Sequence, residues 1–325
     1  MDNIADWVDL RAKLTLDLAH FFSLEQAPGG QRYALIDAAQ VPDMRGPAFD
    51  AEGLDYISLF TLTREHAIAK YGPLLIPLSP HAGPKSPSVA RIVRAMRHGW
   101  TVSWLTSPLE LEELAGHLAG HLNGTLPDGS DVLVRYYDPR LLPVFLDQLD
   151  KTTSAALLAP IGHWAWWDRQ LGFVLRQGGG QAASPGITDT AITPDTQQAM
   201  ADAALVDLIG SMVLAECGED EFGDWLPHTF YNALRGQVAR AHALGLTDMA
   251  DVQLFVSLAL RIHPEFFSLL PVFAREHQRI RAGDIDMPSL VLAVDDGDWD
   301  RLGASGRPAL EHLRRTITRE LSTIA

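Results

Sequence analysis

His117 and His121 stand four residues apart, a spacing that puts both on one face of a helix, with Glu113 one turn earlier. Two imidazoles on one face are half of a zinc site. The helical zinc-protease pattern places a glutamate directly after the first histidine, and that position is Leu118 here. Zinc takes three or four protein ligands, so no metal is expected and the pair reads as a partly exposed helix face. The run Asp295-Asp296-Gly297-Asp298-Trp299-Asp300 alternates carboxylates in the manner of a calcium loop. Aligned on Asp296, the loop's glycine falls on Arg301 and its closing glutamate on Arg307, so the run reads as a solvated acidic loop. Gly178-Gly179-Gly180 precedes neither a Lys-Ser/Thr pair nor an immediate helix, as a phosphate-binding loop would. No Gly-x-Ser-x-Gly nucleophile elbow occurs. Cys217 closes an apolar helical run with no base nearby in sequence and reads as an inert buried thiol. None of these patterns implies a cofactor.

A more distinctive cluster is Arg135-Tyr136-Tyr137-Asp138-Pro139-Arg140. A strand runs into an aspartate, and a proline follows that suits the first position of a helix. Asp138 is placed to cap that helix, with Pro139 at its first position. Arginines stand on both sides, so a charge-assisted pair between Asp138 and Arg135 or Arg140 is geometrically easy. As catalytic machinery the cluster lacks a nucleophile paired with a base; as architecture it is complete. Further on, Gly162-His163-Trp164-Ala165-Trp166-Trp167 concentrates aromatic residues. Trp164, Trp166 and Trp167 are either interface anchors or plain core.

The elements that must position these residues fall into two parts. Over 1–177, helical and extended patterns alternate. Residues 4–24 carry an amphipathic helix, with strands at 33–38, 56–60 and 74–78. Pro77 marks the last of these as an edge or terminal strand. A helix over 88–98 and a strand over 100–105 follow. Another helix runs to 122, with Ser107 as its cap and Pro108 at its first position. A Pro127-Asp128-Gly129 turn leads to a strand over 132–137 and a helix over 140–149. This alternation predicts an α/β domain, a mixed sheet with flanking helices. Residues 178–194 are rich in Gly, Ser, Ala, Thr and Pro without periodicity and read as a linker. From 195 to 325 the pattern is helical, predicting an all-α bundle with helices over 195–216, 225–244, 248–262, 264–281 and 308–322.

Bulk properties exclude several function classes. The 325 residues carry a net charge of −15, from 26 basic and 41 acidic side chains. Such a chain lacks the clustered positive charge that phosphate backbones require, so no nucleic-acid partner is expected. Residues 178–325 are the more acidic part, with 11 basic and 21 acidic side chains, a charge that reads first as solubility and second as a match to a basic partner surface. One cysteine permits no intramolecular disulfide and fits a reducing compartment. The acidic start lacks a signal peptide's positive region. The most apolar stretch, 252–273, is interrupted by Arg261, His263, Pro264 and Glu265 and reads as buried helices, not a membrane span. A cytoplasmic protein without a membrane partner is expected.

Taken in order, several segments resemble a known family. They are Tyr33-Ala34-Leu35-Ile36-Asp37-Ala38-Ala39, Gly72-Pro73-Leu74-Leu75-Ile76-Pro77-Leu78, and Trp100-Thr101-Val102-Ser103-Trp104-Leu105-Thr106-Ser107. Pro127-Asp128-Gly129 leading into Val134 and the 135–140 cluster is the fourth, and the aromatic run to Trp167 also fits. The chain is similar over 31–167 to the type VI secretion effector chaperones known as Tec proteins, domain of unknown function family 4123. It departs from the family at the third segment, where a Trp-Gly is usual and Trp104-Leu105 or Trp100-Thr101 stands here. The resemblance implies a non-enzymatic bacterial adaptor that needs no cofactor. Its partners would be a cognate secreted effector and the spike protein VgrG or its PAAR tip. Two other classes stay open. One is an enzyme working in a cleft between the domains near Arg135, Asp138 and His163. The other is a structural spike or baseplate subunit.

Overall fold

The computed structural model describes residues 2–25, 29–41, 55–95, 100–182, 190–222 and 225–324. The chain divides into two compact units, Met1–Ala203 and Ala204–Ala325.

The first unit is built on a six-stranded sheet. Helix α1 (Asp2–Ser23) precedes β1 (Gln31–Ile36), β2 (Ile57–Ser58), β3 (Leu74–Leu78), helix α2 (Pro87–Ala95) and β4 (Val102–Ser107). Then come helix α3 (Leu111–Gly120), β5 (Asn123–Thr125), β6 (Asp131–Leu133), helices α4 (Leu142–Gln148) and α5 (Lys151–Leu158), β7 (His163–Trp167), β8 (Phe173–Gln177) and β9 (Thr190–Ala191). The strand order is β2-β3-β1-β4-β7-β8, and every neighbouring pair is antiparallel. Parallel pairing occurs in a small second sheet, β6-β5-β9, where Gly124 and Thr125 face Thr190 and Ala191.

Both faces of the large sheet are covered, which is why its strands read as unbroken apolar runs instead of alternating ones. Tyr33, Leu35, Leu105, Trp164 and Trp166 join the core shared with α3, α4 and α5. The alternate residues Ala34, Trp104 and Trp167 are buried on the other face. There Phe21 of α1 lies 6.5 Å from the Trp104 ring, and Trp167 Nε1 donates to Asp17 Oδ2 at 2.7 Å. Pro77 sits in β3, inside the sheet order, yet β2 pairs only with Leu74 and Leu75. Beyond them the outer side of β3 is locally an edge, which is where a residue without an N–H is tolerated.

Two local expectations are corrected. Ser107 does not cap a helix; it ends β4, donates to Pro160 O at 2.7 Å and accepts from Leu109 N at 3.1 Å. Helix α3 starts after Glu110, whose side chain forms a reciprocal capping box with Glu113. The expected connection at 178–194 is tied down at both described ends, while 183–189 lie outside the described residues. Gly178, Gly179, Gly180 and Gln181 donate their amides to Gly162, Leu158, Ile161 and Ala159 at 2.8–3.0 Å. A Cβ on Gly178 would stand 2.2 Å from Ile161 O, so the glycine run serves close backbone approach, not looseness.

The second unit is helical. Helix α6 (Pro194–Cys217) carries the division point. It is followed by α7 (Pro227–Ala243), α8 (Met249–Arg261), α9 (Phe266–Leu269), α10 (Pro271–Ala282), α11 (Met287–Leu292) and α12 (Asp296–Ile324). Phe255, Phe266, Phe267 and Phe273 form the aromatic centre of its core, with centroids 5.0–6.2 Å apart in neighbouring pairs. The single helix expected over 264–281 is broken at Leu270, whose extended backbone leads into Pro271 at the start of α10. The acidic run is not a loop. Asp295 accepts from Gly297 N at 2.9 Å, and Asp296 and Asp298 lie in the first turn of α12, where carboxylates offset the helix dipole. That helix continues through Pro308 instead of starting there. Burial of Leu302 and Ile317 on either side outweighs the roughly 3 kcal/mol that an interior proline costs. Among the described residues, no helix is long and apolar enough to cross a membrane.

Candidate functional site

Strand β1 delivers Asp37 to its C-terminal end, where its amide donates to Thr101 O at 2.8 Å. After β6, Val134 N donates to Leu122 O at 2.7 Å, and the chain turns through 135–141 before α4. These two places, about a hundred residues apart in sequence, meet in one ionic cluster. Arg135 Nη2 lies 2.8 Å from Asp37 Oδ2 and 3.5 Å from Asp138 Oδ2. Arg140 forks onto Asp138, with Nε 2.9 Å from Oδ1 and Nη2 2.7 Å from Oδ2. Gln40 Nε2 spans the carboxylates, 2.5 Å from Asp37 Oδ2 and 3.4 Å from Asp138 Oδ2. The side chains of Asp37 and Asp138 are 0% and 1% exposed, whereas Arg135 is 42% exposed. Two buried carboxylates are thus neutralised by two guanidiniums, of which that of Arg135 is the more exposed.

The expected partnership of Asp138 with Arg135 and Arg140 is present, but its capping role is displaced. Asp138 Oδ1 accepts from Arg140 N at 3.0 Å, closing a turn, and its carbonyl accepts from Leu141 and Leu142 N at 2.9 Å. Helix α4 then begins at Leu142, three residues beyond Pro139. Tyr136 and Tyr137 hold the turn in place. The Tyr136 ring stacks on Phe145 at 5.8 Å, and its hydroxyl donates to Leu118 O at 2.5 Å. Tyr137 meets Phe60 edge-on at 6.3 Å, with the Arg135 guanidinium 5.9 Å from its ring centre. Burial pushes both phenols upward, and for Tyr137 the Asp37 carboxylate adds to it. Burial by itself would lower Arg135; Asp37 leads the interactions that reverse this and hold it charged.

Chemically this is a latch. Both oxygens of Asp138 are engaged by Arg140. His163 is not part of the cluster. It starts β7 opposite Thr106, with its amide donating to Thr106 Oγ1 at 2.9 Å. The cluster lies at the Thr101 end of the same segment, roughly 17 Å of extended chain away. Trp164, Trp166 and Trp167 are buried in the sheet, so their rings form core. Asp37 and Gln40 are the members that sequence reasoning missed. The available signal was a carboxylate closing an apolar strand, which requires a cation beside it once buried.

His117 on the inner face of α3 and His121 at its C-terminal cap are 5% and 2% exposed, which corrects the expected surface face. Their rings meet edge-on at 4.9 Å, and His117 Nε2 lies 2.9 Å from Leu157 O. Among the described residues, no group of three or more His, Cys, Asp or Glu side chains could hold a metal. Burial lowers the affinity of both for protons, and for His121, where His117 adds to it, down to about 4. The unfolded chain takes up these protons near pH 6.5 and the folded protein resists them. Stability is therefore full above about pH 6.5 and falls as the pH drops toward 4. At pH 5 the loss from His121 alone is about 2 kcal/mol. Urea midpoints at pH 8 and pH 5 measure it, and His121→Phe should flatten the difference. An equally steep dependence in that variant rules out His121 as its source.

No curated protein and no solved structure matches the chain. Residues 32–156, the stretch that runs from β1 through the latch into α5, match the family model described as a domain of unknown function, DUF4123.

Proposed function

We propose that this protein is a non-enzymatic adaptor. It binds a cognate type VI secretion effector in the cytoplasm and helps load it onto the VgrG or PAAR spike. The observation that supports this reading is the DUF4123 match over residues 32–156, a family associated with type VI effector adaptors. The matched stretch includes every charged member of the latch, Asp37, Arg135, Asp138 and Arg140. On this reading the latch keeps the sheet end and the 135–141 turn rigid for a partner, and the exposed side of Arg135 is available to it. Binding only the native form of an effector would also raise the effector's level by mass action.

Deleting the gene is expected to lower the abundance or secretion of one effector and to leave the other secreted proteins intact. Comparing the secreted proteins of deletion and wild-type strains, with a pull-down on the tagged chain, measures this. Equal loss of every secreted effector would assign a structural role in the spike or baseplate instead. No change, with no effector or spike protein recovered, would end the adaptor reading.

A further inference from the structure

We propose that β8, the outer strand of the large sheet, docks an extended segment of a partner protein as a further antiparallel strand, with a carboxylate of that segment opposite Arg176. The strand pairs with β7 without a bulge, from Phe173 beside Trp167 to Gln177 beside His163. Just past its two ends, Gly178 N donates to Gly162 O and Asp168 N to Gly172 O. Hydrogen-bonded positions alternate in an antiparallel pair, so Val174 and Arg176 turn their amides and carbonyls inward to β7. Those of Phe173, Leu175 and Gln177 point outward, and among the described residues of the unit nothing pairs with them. The opposite edge of the sheet is closed to such an addition. There β2 is two residues long and reaches only Leu74 and Leu75 of β3, and Pro77 beyond them has no N–H. Short edge strands and prolines are how sheets keep other chains from adding. β8 has neither device, and its row runs for about 17 Å.

An open row of N–H and C=O groups is matched by another main chain, and antiparallel entry continues the pairing of every neighbouring pair in this sheet. The side chains along the row select the sequence. Val174 lies on the face of Trp164 and Trp166 and packs against their core. Phe173 lies on the other face, its ring 5.3 Å from that of Trp167, and the half-buried Leu175 shares that face. Residues opposite Val174 and Leu175 extend apolar surface on both faces, so both are apolar. Arg176 is exposed, and among the described residues of the unit it has no ion-pair partner. Opposite charges across a strand pair attract, so the residue beside Arg176 is acidic. A second copy of the chain does not fit this pattern. Two antiparallel β8 strands meeting at Leu175 would put Val174 opposite each Arg176 and set the two arginines diagonally, about 7–8 Å apart on one face.

That the partner is an effector or spike protein rests on the adaptor reading; the docking mode does not, and its test makes no use of secretion. The probe is a labelled peptide of about nine residues, long enough to span β8, with the core Thr-Glu-Val-Ile-Thr set to lie opposite Gln177 through Phe173. Titrated into the full-length protein, it is expected to bind saturably. A methyl on the valine amide, which faces β8, should weaken binding about tenfold or more, whereas a methyl on the glutamate amide, which faces away, should change it less than about twofold. Leu175→Pro removes an outward N–H and no bond to β7, so it should abolish binding while the protein still melts cooperatively. Arg176→Glu should make a lysine twin of the peptide the tighter ligand, and this variant decides the matter should the proline variant not fold. Hydrogen exchange at Leu175 and Gln177 should be fast in the free protein and slowed by the peptide. Absence of saturable binding, equal effects of the two methyl groups, or a charge preference untouched by Arg176→Glu would overturn the proposal. Amides already protected in dilute free protein would place another segment of this chain on the edge, and protection that grows with protein concentration would place a second copy there; either result also overturns it.

Discussion

Replacing Gly306 by alanine is expected to destabilise the helical unit by about 3 kcal/mol or more. A Cβ at this position would stand 1.7 Å from Ile262 O and 2.9 Å from Ile262 C. The obstacle is backbone at the end of α8, not a side chain that can swing away, so α12 must lift off or α8 must unravel. In an open helix the same exchange would stabilise by up to about 1 kcal/mol, because alanine is the better helix former. Gly303 is the internal control. It lies one turn earlier on α12 where a Cβ meets nothing, and Gly303→Ala should hold or raise stability. Thermal melts of the two variants should therefore move in opposite directions, with Gly306→Ala falling by roughly 10 °C in the transition of its unit. A Gly306→Ala protein that melts with the wild type would refute the close approach of α12 to Ile262.

Asp138→Ala is expected to cost the first unit about 3 kcal/mol. The substitution strips Arg140 of its bidentate partner, leaves Asp37 alone to neutralise Arg135, and removes the acceptor of Arg140 N. Both guanidiniums retain some access to water, which holds the loss to the lower end of the range for a broken buried pair. Asp138→Asn keeps the turn's acceptor but not the charge, and should lose about half as much. Denaturant midpoints of the three proteins order them wild type, Asn, Ala. If the alanine variant matches the wild type, the cluster carries no structural weight and the latch reading fails.

The latch shows how far a chain can be read without its fold. Arg135, Asp138 and Arg140 lie within one turn, so their pairing follows from spacing alone, and it is present. Asp37 reaches the same carboxylate network across about a hundred residues of chain, and only the tertiary packing that brings the end of β1 beside the 135–141 turn puts it there. The α3 histidines make the same point. Their common face was legible, because periodicity states which residues share a face. That this face is buried beside Leu157 depends on what packs against it.

Read alone, the chain determines its two-part composition, the helical or extended nature of most segments, and the local ionic triad, all properties of neighbours within a few residues. It also carries the family resemblance over its sheet half, since motifs in order need no coordinates. Tertiary structure decided whatever depends on meetings distant in sequence. The Gly178–Gly180 run looks like a flexible tether until its amides are found bonded to 158–162. Pro308 looks like a helix start until burial on both sides of it carries α12 straight through. In each case the local preference amounts to about 1–3 kcal/mol, and packing across the fold outweighs it.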